Sequence, residues 1–309
     1  MQHEIDPTRA TALEMKRRAF IGISAGAVGF GASIARALAA DQDLGKPHPP
    51  LVPEDDPDIT VQRVQLTRPE GAIDAYAAYP RSTAGDRPGV VVAQAIWGVD
   101  AQIRDVVRRL AKSGYVAIAP ALYTNLNAPS GDGATDHKPF AETAAKLVDA
   151  QVDGDLQSGA YWIRERVGQR PLQRPPKIGV MGFCMGGSIA LRAAIDDKQV
   201  FDAAVVFYGK VRWGAINEQD GPITDMALAY TDELKIPLMG QFGARDTSIK
   251  PEDVQAMQAR LQVPNDIKIY DEAGHAFFDD TRESYVASAA SDAWTRTLAW
   301  FGKYLKAQT

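Results

Sequence analysis

Residues 177–195 constrain the fold more than any other stretch of the chain. Lys177-Ile178-Gly179-Val180-Met181 is an apolar, strand-like run. Gly182-Phe183-Cys184-Met185-Gly186-Gly187 is a glycine-flanked bend, and 188–195 reads as a helix. A chain that passes from strand to helix over so few residues must turn sharply at Cys184. Glycines flank the turn because neighbouring Cβ atoms would collide there. Such a turn lifts the thiol above the C-terminal edge of a sheet, where open α/β sheets hold their ligands. The N-terminus of the following helix favours negative charge at that point.

The rest of the pattern agrees with this beginning. Strands are expected at 61–67, 72–79, 89–94, 115–119, 177–181, 203–207, 237–242 and 267–270. Gly89-Val90-Val91-Val92-Ala93 and Ala203-Ala204-Val205-Val206-Phe207 are continuous apolar runs, the mark of strands covered on both faces. Helical spacing falls between them at 101–113, 140–167 (with a possible break at Gly154), 188–195, 251–261 and 285–305. Strand–helix alternation after an initial hairpin predicts a doubly wound, mostly parallel sheet with helices on both faces. One domain is expected over 59–309, after a Pro- and Asp-rich extended lead-in at 41–58.

The N-terminal 40 residues read differently. Arg17-Arg18 precede an apolar, Gly/Ala-rich run, and Ala37-Leu38-Ala39-Ala40 resembles a cleavage site. This is the layout of a signal peptide, and the paired arginines resemble a twin-arginine export signal. The expectation is a periplasmic or secreted protein that meets the twin-arginine export machinery and makes no stable membrane insertion after cleavage. An uncleaved anchor is the other reading. Lys+Arg 34 against Asp+Glu 39 provides no electrostatic footprint for nucleic acid. Cys184 is the sole cysteine, so an internal disulfide is ruled out.

Four histidines are present: His3, His48, His137 and His275. Only His275, in Ala273-Gly274-His275-Ala276-Phe277, follows the last expected strand. That is where the histidine belongs in the chain order nucleophile, acid, histidine. The acid belongs on the loop after the preceding strand, which makes Asp246 the candidate; Asp232, Asp253 and Asp271 are rivals in less suitable places. An oxyanion would be held by two backbone N–H groups, that of Met185 after the nucleophile and that of Ile96 in the loop 94–100. Trp97, Tyr123, Tyr208 and Trp213 fall at or beyond strand ends and could line a pocket mouth, or simply pack. No His/carboxylate cluster has metal-ligand spacing, and no cofactor is expected.

With these residues in view, the chain resembles the dienelactone hydrolase (carboxymethylenebutenolidase) family. The resemblance covers roughly 61–305. It rests on Gly182-Phe183-Cys184-Met185-Gly186-Gly187, Gln94-Ala95-Ile96-Trp97-Gly98-Val99, Gly114-Tyr115-Val116-Ala117-Ile118-Ala119-Pro120, Gly243-Ala244-Arg245-Asp246 and Gly274-His275-Ala276-Phe277. It implies an α/β-hydrolase fold and a Cys184–His275–Asp246 triad. It also implies cleavage of a small-molecule ester or lactone through a thioester, without metal or cofactor. Three positions depart from the family. Ala95 stands where the family has a Glu that contacts the cysteine. Asp279 stands where a substrate-clamping arginine is expected, with Arg282 three residues on as a possible substitute. The loop after Tyr123 holds no arginine for the other clamp, Lys138 being the nearest cation. A non-catalytic ligand-binding protein and a thiol-dependent redox protein are the rival functions.

Overall fold

The structure is a computed structural model and describes residues 46–68, 71–82, 87–168, 175–195, 200–212 and 231–306. The expected export segment and Trp213 lie outside these residues.

Eight strands form one sheet: β1 (Ile59–Leu66), β2 (Ile73–Pro80), β3 (Gly89–Ala93), β4 (Val116–Pro120), β5 (Ile178–Phe183), β6 (Ala203–Phe207), β7 (Leu238–Gly243) and β8 (Asn265–Tyr270). Their spatial order is β1-β2-β4-β3-β5-β6-β7-β8. The β1–β2 and β2–β4 pairs are antiparallel, and all others are parallel. Every residue of β3, β4, β5, β6 and β7 is buried, so helices cover both faces of the central sheet. The outer strands β1 and β8 are half-exposed along most of their length.

The helices are α1 (Ala101–Lys112), α2 (Lys138–Ala144), α3 (Asp149–Gly168), α4 (Met185–Ile195), α5 (Pro251–Arg260) and α6 (Ala287–Leu305). The expected single helical region at 140–167 is two helices, and the break is not at Gly154. Residues Lys146 and Leu147 donate to Thr143 and Ala144 three positions back, which tightens and ends α2. Leu147 then turns into the core, and the Val148 carbonyl accepts the first bonds of α3. Gly154 sits inside α3 with open space where a Cβ would be, so nothing there forces a kink. Similarly, α4 begins at Met185, directly after Cys184, rather than at Ser188.

Helix α1 carries a buried polar face that ties three segments together. Asp105 accepts from the backbone N–H of Leu51 (3.0 Å) and Val52 (2.9 Å) in the lead-in and from Arg109 Nε (2.7 Å). Arg109 also donates to Asp280, in the loop after His275. The lead-in is thus held against the body of the protein, and His48 N–H donates to the Asp280 carbonyl at 2.7 Å. No described helix is long and apolar enough to cross a membrane.

Candidate active site

Register brings the site to one edge of the sheet. Ala93 of β3 faces Gly182 of β5, and Phe183 faces Phe207 of β6, so Cys184 emerges just past the C-terminal ends of three neighbouring strands. Its φ is +55°, a left-handed conformation that a non-glycine residue adopts only when its surroundings impose it. The surroundings are close: a Cβ on Gly182 would lie 1.9 Å from the Gly186 carbonyl oxygen. The backbone N–H of Cys184 donates to the Phe207 carbonyl at 3.1 Å, and the Cys184 carbonyl accepts from Gly187 and Ser188 in the first turn of α4.

Two loops then converge on the sulfur. Beyond β7, Asp246 is buried, and its Oδ1 accepts from Ser248 N–H (2.8 Å), Ser248 Oγ (2.7 Å) and Ile249 N–H (3.1 Å). Beyond β8, the loop carrying His275 is stitched to the Asp246 loop, with Ala244 N–H donating to Tyr270 and Arg245 N–H to Ala273, both at 2.9 Å. His275 Nδ1 donates to Asp246 Oδ2 at 2.7 Å, and His275 Nε2 lies 3.1 Å from Cys184 Sγ. The rival acids are elsewhere: Asp232 and Asp253 pair with Arg260 and Arg212, and the exposed Asp271 offers its backbone carbonyl to Arg245.

The electrostatics follow from these contacts. Burial pulls the His275 imidazolium down, but the hydrogen bonds to Asp246 and Cys184 outweigh it and raise its pKa to about 10. Burial likewise pushes the Asp246 carboxyl up, and the hydrogen bonds from His275 and Ser248 overcome that and hold it below its ordinary value. Ser248 is a contributor that inspection of the chain missed. The spacing Asp246-Thr247-Ser248 is that of an Asx turn and could have revealed it.

The remaining candidates take distinct places. Neither the Met185 nor the Ile96 N–H has a hydrogen-bond partner among the described residues; both residues are partly buried, one at a helix start and the other in a loop. Tyr123 is buried beneath the 94–100 loop rather than at a mouth. Tyr208 is only 2% exposed; it sits edge-on to His275, between Phe183, Phe207 and Phe277, and forms the back wall of the histidine instead of a rim. Trp97 packs edge-on to Phe140 and His137. The Arg282 guanidinium carbon lies over the Trp97 ring, 3.9 Å from its centre. Its Nε donates to Asp279 Oδ2 (3.1 Å) and its Nη1 to the Ala134 carbonyl (2.8 Å), with Asp100 at 3.9 Å. The arginine therefore has two carboxylates close to it already. Asp100 itself is pushed up to about 7, by burial first and then by the neighbouring Asp279. Lys138 projects into solvent and pairs with Glu142. Among the described residues, no group of three or more His, Cys, Asp or Glu side chains is placed to hold a metal ion.

Comparison with known proteins bears on this arrangement. Residues 73–305 match the model of the Dienelactone hydrolase family. An inferred carboxymethylenebutenolidase of Escherichia coli is 38% identical over 234 residues, spanning 74% of this chain and 82% of that protein. A counterpart from Yersinia pestis is 38% identical over 239 residues, 75% of this chain and 84% of the relative. Among solved structures, an inferred dienelactone hydrolase from Klebsiella pneumoniae superposes with a TM-score of 0.70 at 34% identity, covering 80% of this chain and 99% of that one.

Proposed function

The chain belongs to the dienelactone hydrolase family, and from that membership we propose that it is a hydrolase that cleaves an uncharged, activated carboxylic ester or lactone through a Cys184 thioester. The observation that carries the reading is the contact of His275 Nε2 with Cys184 Sγ at 3.1 Å, with Asp246 on the opposite ring nitrogen.

His275 holds its proton up to about pH 10, so near neutrality it is an imidazolium and donates from both nitrogens, to Asp246 and to the sulfur. The sulfur attacks the ester carbonyl carbon as thiolate, and the carbonyl π pair moves to oxygen. The Met185 and Ile96 N–H groups stabilise that oxyanion. Collapse breaks the carbon–oxygen bond, and the departing alkoxide or enolate takes the Nε2 proton of His275. Neutral His275 then removes a proton from water, and the hydroxide attacks the thioester. The second collapse expels the Cys184 thiolate, and the acid is released beside a restored imidazolium. Thiolate is a good nucleophile and a good leaving group, which suits activated esters and lactones better than amides.

The preference for uncharged substrates rests on Arg282. Its charge is already balanced by Asp279 at 3.1 Å, and its guanidinium lies over the Trp97 ring. A substrate carboxylate would have to displace one of these partners to obtain a bidentate contact. Residues 1–40 are read as a twin-arginine export segment that delivers the protein to the periplasm or beyond. Replacing Arg17 and Arg18 together by Lys should retain it in the cytoplasm, and unaltered export would refute that part.

The test of the chemistry is a stopped-flow trace with p-nitrophenyl acetate. The wild type should release a burst of product equal to the enzyme concentration, and Cys184→Ala should show none. Equal rates from both proteins would eliminate the cysteine mechanism. A faster turnover of a carboxylate-bearing lactone than of its methyl ester would overturn the substrate class alone.

A further inference from the structure

The loop that carries the Ile96 N–H is pinned at both peptide planes flanking that residue. On the first plane, the Ala95 carbonyl accepts from Gly98 N–H at 3.1 Å, closing a tight turn. A trans peptide is planar, so an Ala95 oxygen aimed into the turn aims the Ile96 N–H out of it. On the second plane, the Ile96 carbonyl accepts from the Tyr123 hydroxyl at 2.9 Å. Tyr123 comes from the segment after β4, so this bond ties two sheet-edge loops together.

The same hydroxyl lies 3.7 Å from Met185 Sδ, at the start of α4. One buried phenol therefore touches both residues whose backbone amides are assigned to the oxyanion. It is well supported from below. Gln94 is fully buried at the end of β3, and its side-chain oxygen accepts from Leu122 N–H at 3.0 Å, which fixes the backbone one residue before Tyr123. Burial, reinforced by the negative charge of Cys184, keeps the phenol protonated well beyond its ordinary range, so it acts as a donor at any working pH.

We propose that Tyr123 is a positioning residue for the oxyanion hole, its hydroxyl locking the Ile96 carbonyl so that the Ile96 N–H stays aligned with that of Met185. The proposal rests on the acyl-transfer reading above. Tyr123 itself touches neither the substrate carbonyl nor Sγ in this role. Its effect should appear only in steps that develop charge on a carbonyl oxygen.

That separates it from a purely structural role. Alkylation of Cys184 by iodoacetamide proceeds by displacement at a saturated carbon and forms no oxyanion, whereas acylation by p-nitrophenyl acetate forms one. In Tyr123→Phe the ring remains and only the hydroxyl is lost. The burst should keep its full amplitude, its rate constant should fall roughly 10- to 100-fold, below the loss seen when an oxyanion donor is removed outright, and half-saturation should occur at the same ester concentration. The iodoacetamide rate should match wild type. Unchanged acylation would overturn the proposal. A parallel fall in both rates would also overturn it, because Tyr123 would then be acting on the nucleophile or the fold. If wild type and Cys184→Ala hydrolyse the ester alike, the cysteine mechanism itself fails and takes this role with it. That outcome is recognised without the Tyr123 variant.

Discussion

Replacing Arg109 by Met should destabilise the protein far more than a surface ion pair could explain. The Arg109 guanidinium is almost fully buried and bridges two carboxylates, Asp105 at 1% and Asp280 at 2% side-chain exposure. Asp105 would keep the Leu51 and Val52 amides and Arg108 as partners. Asp280 would keep little: His48 Nε2 is 3.7 Å away, and its Oδ1 has no partner among the described residues. Methionine fills much of the arginine's volume, so the dominant loss is the counter-charge. Removing one partner of a buried pair typically costs about 3–5 kcal/mol. For a domain of this size that corresponds to a melting point lower by roughly 6–20 °C. The sign with pH is also determined. Burial already outweighs Arg109 and holds the Asp280 carboxyl above its ordinary value, and loss of Arg109 raises it further. An acid whose folded pKa exceeds its unfolded value of about 3.9 is neutral at no cost below that value and opposes folding increasingly as pH rises. The deficit should therefore be smaller near pH 5 than near pH 8. Urea denaturation at both pH values measures it as a fall in midpoint at constant slope. A loss under about 1 kcal/mol, or one that does not change with pH, would show that the network is not the buried unit described above. Arg109→Met with Asp280→Asn should recover part of the loss.

Other outcomes follow from the site. In Gly187→Ala the new Cβ would lie 2.6 Å from the Phe207 carbonyl oxygen and 2.9 Å from the Gly209 backbone. Since neither is a flexible side-chain end, the variant should lose roughly 1–3 kcal/mol and show a slower burst; wild-type melting would refute the close approach. His275 holds its proton below its raised pKa of about 10 and loses it above, so hydrolysis of an alkyl ester, whose leaving group needs that proton, should decline through this range. Hydrolysis of a p-nitrophenyl ester should decline much less, and identical profiles would argue against His275 as the proton donor. Asp246→Asn removes the charge and weakens the hydrogen bond that raise the imidazolium; nuclear magnetic resonance titration should find His275 shifted downward, and an unmoved titration would contradict the assigned cause.

Much of the fold was legible because it is written in local patterns. Continuous apolar runs marked β3 and β6 as covered strands, and the bend at Cys184 announced a strand-to-helix turn whose left-handed residue the structure contains. Helix ends were less legible. The α2–α3 break depends on Leu147 turning into the core, and Gly154, which looked like a breaker, meets no neighbour that would require one. The charged residues Asp105, Arg108 and Arg109 of α1 are buried, because the lead-in and the loop after His275 fold over them, which no local pattern announces.

The glycine-flanked bend selected Cys184, and chain order after it selected Asp246 and His275, because backbone geometry within a few residues dictates turns, strands and loop positions. It said nothing about distances. Cys184 and His275 are 91 positions apart and meet only through the register of β5 to β8 and the stitching between the last two loops. The anchoring of Arg282 on Trp97 and the Ala134 carbonyl, the burial of Tyr208 behind the histidine and the grip of Tyr123 on Ile96 are likewise contacts between distant segments. Short-range sterics are encoded residue by residue, whereas charge balance and hydrogen bonding across loops arise only when packing brings those segments together.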